Sequence, residues 1–216
     1  MRTNFLKVKN LILKLITSAC FAWMALLSTS TYAASPKILI LGDSLSAEYG
    51  LKRNTGWVHL LERRLNEEKL SWQIVNASIS GETTAGGKTR LASLLAQHQP
   101  RVVVIELGAN DALRGLSLSM TESNLKEMVQ RSQQIGAKVL ILGMRIPPNY
   151  GLDYTEKFFR VFGKVAQESN VPLVPFFLEG VAQRPELFQE DRIHPNAAAQ
   201  SIMLNNVWPN LKPLLQ

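Results

Sequence analysis

Cysteine is almost absent from this sequence: Cys20 is the only one in 216 residues. It lies within an N-terminal apolar run, so a chain trimmed of that run has no thiol and no disulfide. Its core alone must then hold it together. Histidine is nearly as scarce. His59, His98 and His194 are the only candidates for an imidazole base. Charged residues make up an ordinary 19% and hydrophobic residues 46%, which excludes a disordered chain, a collagen-like repeat and a multi-span membrane protein. No repeat, low-complexity run or long linker divides the chain, and its length suits one full domain. The net charge of +7 is uneven, because Arg2, Lys7, Lys9 and Lys14 occupy an N-terminal stretch free of acids. The mild excess left elsewhere identifies no anionic partner, and no nucleic-acid partner is expected.

What the N-terminus does contain reads as an address. The basic stretch Met1–Lys14 precedes an uncharged, mainly apolar run, Leu15–Leu27, and then Thr31-Tyr32-Ala33 with small residues at signal-peptidase spacing. The run is about 13 residues long, against roughly 20 for a bilayer-spanning helix. A signal peptide over 1–33, cut after Ala33 or one residue later, and a periplasmic or secreted protein are expected. The alternatives are an uncleaved anchor extending from Leu11 and lipidation at Cys20.

From residue 34 on, strands and helices alternate. Lys37–Leu41, Trp72–Asn76, Arg101–Leu107, Lys138–Leu142 and Val171–Val174 are short apolar runs of strand character. Helical spacing covers Trp57–Glu68, Thr84–Gln97, Met120–Gln134 and Asp153–Ser169. Gly136 is placed as a helix stop, and Pro195 as the first residue of a final helix. Near-continuous apolar strands between amphipathic helices predict an α/β fold with a parallel sheet covered on both faces. Functional groups in such sheets gather at the carboxyl ends of the strands.

Polar groups do stand at those ends. Gly42-Asp43-Ser44-Leu45-Ser46 follows the first strand, Asn76 to Gly81 the second, and Gly108-Ala109-Asn110-Asp111 the third. A late segment reads Asp191-Arg192-Ile193-His194-Pro195. Taken singly, each also fits a turn, a helix cap or an exposed ion pair. Together they fit nucleophilic catalysis. A serine hydroxyl needs a neighbouring base, and His59 sits on a helix's polar side while His98 precedes the third strand at the opposite edge. His194 is left to activate Ser44, with Asp191 to fix its tautomer. An oxyanion formed on attack needs donors, which the N–H groups of Ser44 and Gly81 and the amide of Asn110 can supply. Asp43 is expected to shape the turn. A hard-metal site from Asp43, Asp111, Asp191 and His194 would leave Ser44 and Asn110 without a role.

These segments resemble, in order, the four blocks of the SGNH (GDSL) hydrolase family. Ile40-Leu41-Gly42-Asp43-Ser44-Leu45-Ser46-Ala47 is similar to the first, and Gly81, Gly108-Ala109-Asn110-Asp111 and Asp191-Arg192-Ile193-His194-Pro195 to the others. Flanking runs such as Val75–Gly81, Val171–Phe177 and Ile193–Asn196 place the resemblance nearest to the family's bacterial thioesterase and lysophospholipase branch. The resemblance implies a three-layer, flavodoxin-like α/β/α sandwich over 34–216 with a five-stranded parallel sheet. It implies a triad of Ser44, Asp191 and His194, an oxyanion hole of Ser44, Gly81 and Asn110, and ester and thioester hydrolysis without metal or cofactor. One departure is Ala109, where that branch usually has glycine; alanine is tolerated unless the backbone there needs positive φ.

The expected substrate is an acyl ester, acyl thioester or lysophospholipid, met by a monomer whose membrane contact is transient at most. Leu113, Leu116, Leu118, Met120, Ile146, Pro147, Pro148 and Tyr150 are candidates to line an acyl groove, with Arg114 or Arg145 at its mouth. The loop Ile79–Thr84 is a candidate to close over substrate. A carbohydrate acetylesterase and a non-catalytic lipid-binding protein are the alternative readings.

Overall fold

The computed structural model describes residues 35–216; the expected signal peptide lies outside them. Five strands form one parallel sheet in the order β2-β1-β3-β4-β5. They are β1 (Lys37–Gly42), β2 (Gln73–Asn76), β3 (Val102–Glu106), β4 (Lys138–Leu142) and β5 (Leu173–Val174). The helices are α1 (Trp57–Glu67), α2 (Thr84–His98), α3 (Ala109–Leu113), α4 (Leu118–Gln134), α5 (Leu152–Ser169) and α6 (Gln200–Leu211). Every residue of β3 is buried, as a central strand covered on both faces requires. This is the expected α/β sandwich of flavodoxin-like order. Among the described residues, no helix is long and apolar enough to cross a membrane.

The strand order creates the site. Chain leaving β1 runs outward to β2, whereas chain leaving β3 runs the other way to β4, so a crevice opens between their carboxyl ends. Pairing in register Gly42↔Glu106 brings those two ends level. Beyond β2, Ala77 N–H donates to Ile40 O and Ile79 N–H to Gly42 O, so the segment leading to Gly81 stays beside β1. Asn76 adds a tie by donating from Nδ2 to Ser46 O at 2.8 Å.

Local chemistry explains the helix ends. Thr83 caps α2 by accepting from Gly86 N–H, a contact of a kind that contributes about 1 kcal/mol. Ser117 caps α4 through Met120 N–H. Trp57, at the start of α1, is fully buried, and its Nε1 finds a partner in Ser46 Oγ at 3.1 Å.

One expectation is corrected. The final helix does not start at Pro195. That residue forms a bridge with Phe188, Asn196 caps a 310 turn over Ala197–Ala199, and α6 follows from Gln200. Proline's fixed φ suits extended chain as well as a first helical turn, and here the bridge wins. The segment after Gly108 forms the short helix α3, with Asn110 in its first turn. Ala109 therefore has helical geometry, and the positive φ of 121° belongs to Gly108. Alanine is accommodated.

Candidate active site

The loop after β1 turns tightly at Asp43, whose carbonyl accepts from Ser46 and Ala47 N–H while its Oδ1 accepts from Leu45 N–H at 3.0 Å. Ser44 is thereby lifted to the rim of the sheet, half-buried. Gly42 cannot carry a side chain here, since a Cβ would lie 2.7 Å from Glu106 Oε2 and 2.8 Å from Ser46 Oγ.

The segment bearing His194 is tied at several points. Asp191 Oδ1 accepts from the N–H groups of Ile193 at 2.9 Å and His194 at 3.0 Å. Arg192 between them sits at φ 56°, a conformation that costs a non-glycine residue roughly 1 kcal/mol or more. Gln189 N–H donates to His194 O at 2.8 Å, closing the loop, and Asn196 Nδ2 donates to Glu186 O and Phe188 O. The imidazole is thus delivered by a braced turn and not by a swinging tail.

A hydrogen-bonded chain results. His194 Nδ1 lies 2.7 Å from Asp191 Oδ2, and His194 Nε2 lies 2.9 Å from Ser44 Oγ. A carboxylate only accepts, so Nδ1 carries the proton and Nε2 accepts from the serine hydroxyl. Desolvation opposes ionisation of Asp191, but it is outweighed by the bonds from His194 N–H, Ile193 N–H and the imidazole. The carboxyl is held at about 2. The ring of Tyr49 stands 4.4 Å from that of His194, centroid to centroid, and covers one imidazole face.

The donors converge on the same rim. Among the described residues, no acceptor takes the N–H of Ser44 or of Gly81. Gly81 has φ 78°, and Arg114 Nη2 donates to its carbonyl at 2.8 Å. Asn110 donates from Nδ2 to Asp43 Oδ2 at 2.9 Å. That bond settles which end of the amide is nitrogen and leaves its second N–H available.

Other expected positions separate. Asp111 turns away and is buried, accepting from Thr84 N–H and Thr84 Oγ1 at the start of α2. Among the described residues, no three acidic, histidine or cysteine groups gather as a metal site would require. His59 instead faces Glu62 at 3.5 Å. Of the groove candidates, Ile146 is part of the core, while Leu116, Met120 and Tyr150 are exposed. Arg145 reaches Glu156 and lies over the Phe159 ring, which leaves Arg114 as the arginine tied to the Gly81 loop. Two neighbours of the site escape a reading of the sequence. Tyr49 carries no local signal. Glu106 does, as the one acid inside the apolar run of β3, at its carboxyl end.

Comparison with known proteins finds relatives along most of the chain. The family described as GDSL-like lipase/acylhydrolase matches residues 40–202. The esterase TesA of Pseudomonas aeruginosa is 51% identical over 201 residues, 93% of this chain and 98% of that protein. Thioesterase 1/protease 1/lysophospholipase L1 of Escherichia coli is 43% identical over 195 residues, 90% of this chain and 92% of its own. A crystal structure of TesA superposes with a TM-score of 0.81 at 53% identity, covering 82% of this chain and 99% of that one.

Proposed function

We propose a mechanism and a substrate class for this ester and thioester hydrolase, which belongs to the GDSL-like lipase/acylhydrolase family. Ser44 attacks the acyl carbon as His194 Nε2 takes its proton, and Asp191 holds the imidazole and stabilises its cationic form. The oxyanion is received by Ser44 N–H, Gly81 N–H and the free N–H of Asn110. His194 then returns the proton to the departing alcohol or thiol, leaving Ser44 acylated. Water, deprotonated by the same nitrogen, hydrolyses that ester and restores the enzyme.

The observation that carries this reading is the chain Asp191–His194–Ser44 at 2.7 and 2.9 Å, beside two N–H groups that have no acceptor among the described residues. Substrates are acyl esters, acyl thioesters and lysophospholipids. Ile79, Leu116, Tyr150 and Ile193 are exposed on the loops at this edge, where an apolar chain would cover them. The enzyme acts as a monomer after export, once residues 1–33 have been removed.

A panel of p-nitrophenyl esters from acetate to decanoate, a long-chain acyl-CoA, a lysophospholipid and an acetylated sugar tests the substrate class. Higher kcat/KM on medium and long acyl chains than on the acetylated sugar is the expected order. Preference for the sugar ester would overturn it, and binding without release of p-nitrophenol would return the lipid-carrier reading. Asn110→Ala tests the oxyanion role. A fall in kcat of about 10²–10³ with little change in KM is expected, whereas a loss confined to KM would assign Asn110 to ground-state binding.

A further inference from the structure

One buried acid plays no part in that chemistry. Glu106 ends the central strand β3 and is 1% exposed. Its Oε2 accepts from Asp43 N–H at 3.2 Å and from Ser46 Oγ at 2.8 Å. Ser46 in turn accepts from the Trp57 indole, so these groups form a buried polar chain in an apolar setting. The bond from Asp43 N–H sets the Glu106 carboxyl beside Asp43, whose own carboxyl is likewise 1% exposed.

Two carboxyl groups held side by side, both out of water, are costly to ionise together. Among the described residues, the one cationic group acting on the pair is His194, when protonated, and it acts on Asp43. A proton must therefore stay between them, and the bonding pattern decides where. Asp43 has a donor on each oxygen, Leu45 N–H on Oδ1 and Asn110 Nδ2 on Oδ2. Glu106 has both of its donors on Oε2, leaving Oε1 to hold hydrogen. Burial, and then the Asp43 charge, push Glu106 well above the ordinary carboxyl range. Burial raises Asp43 only to about 6, because Leu45, Glu106 and Asn110 bond its charged form.

We propose that Glu106 is a positioning residue for hydrolysis: as a neutral carboxylic acid it donates to Asp43, and Asp43 in turn holds the Asn110 amide toward the oxyanion. With Oε2 it also pins the Asp43–Ser46 turn that presents Ser44. The inference rests on the roles given above to Ser44 and Asn110.

The test compares Glu106→Gln, Glu106→Leu, Asn110→Ala and the Glu106→Leu/Asn110→Ala double variant, with Ser44→Ala as control, measuring kcat and KM on a p-nitrophenyl ester. Glutamine supplies an N–H where the acid supplies an O–H, so Glu106→Gln is expected to keep kcat within about threefold. Leucine supplies neither donor nor acceptor, and kcat is expected to fall about 10² with KM little changed and an unaltered circular dichroism spectrum. Because Glu106 acts through Asn110, the losses in the double variant should fall well short of multiplying. Glu106→Gln losing as much as Glu106→Leu, or fully multiplicative losses, would overturn the proposal alone. Should Glu106→Leu fail to fold, Glu106→Gln decides by itself, a tenfold or greater drop in kcat counting against. Retained activity in Ser44→Ala or Asn110→Ala removes the reading of the site, and this inference with it.

Discussion

Ser44→Ala is expected to lower kcat by about 10⁶ while leaving the fold intact. The size follows from the role proposed for the hydroxyl: without Oγ no acyl-enzyme would form, and His194 would have nothing to deprotonate but water. The fold survives because Ser44 is half-buried, and among the described residues its side chain bonds only the imidazole, 2.9 Å away. The backbone bonds of the turn, from Ser46 and Ala47 N–H to Asp43 O, do not involve that side chain. Steady-state hydrolysis of a p-nitrophenyl ester, with melting temperature alongside, checks both halves. Mass spectrometry after an alkyl phosphonate adds a third readout, since wild type should gain one covalent adduct and the variant none. Residual activity above about one part in a hundred would place the nucleophile elsewhere.

Asp191→Asn is the second large effect, a loss of about 10⁴ in kcat. The cause is the tautomer. Asp191 Oδ1 accepts two backbone N–H groups, from Ile193 and His194, and an asparagine keeps those bonds only by placing its carbonyl oxygen there. Its NH₂ then faces His194 Nδ1, which must accept. The ring proton moves to Nε2, and Nε2 can no longer take the proton of Ser44. The pH profile separates this from a structural fault. The folded-state value of Asp191 is depressed to about 2, so its stabilising contribution is complete above the unfolded carboxylate range, near pH 4. That contribution is lost as pH falls through the folded value. Asp191 therefore contributes nothing to the acid limb of the wild-type profile above pH 4. Asp191→Asn should show low activity across the whole range with a melting temperature close to wild type near neutral pH. An activity within tenfold of wild type would show that the carboxylate does not set the tautomer.

Much of this was legible beforehand because the signals are local. The β-branched run of β3 and the 3.6-residue spacing of α1 follow from which side chains avoid water, and one chain segment decides that on its own. The candidate residues were legible for a related reason. In a parallel sheet every strand delivers its following residue to the same edge, so Ser44, Gly81 and Asn110 share a rim once the strands are identified. Pro195 was misread because its preference is compatible with two local structures, and the bridge to Phe188 that chooses between them is a contact at a distance.

The sequence by itself determined the alternation of strands and helices and the edge of the sheet to which Ser44, Gly81 and Asn110 are delivered. Only the tertiary structure decided which neighbours those groups meet. It set Tyr49 against the imidazole, turned Asp111 to the start of α2, and brought Glu106 under Asp43 across the register of β1 and β3. Whether a buried acid keeps its proton depends on the dielectric and the donors around it, and both are properties of packing between segments.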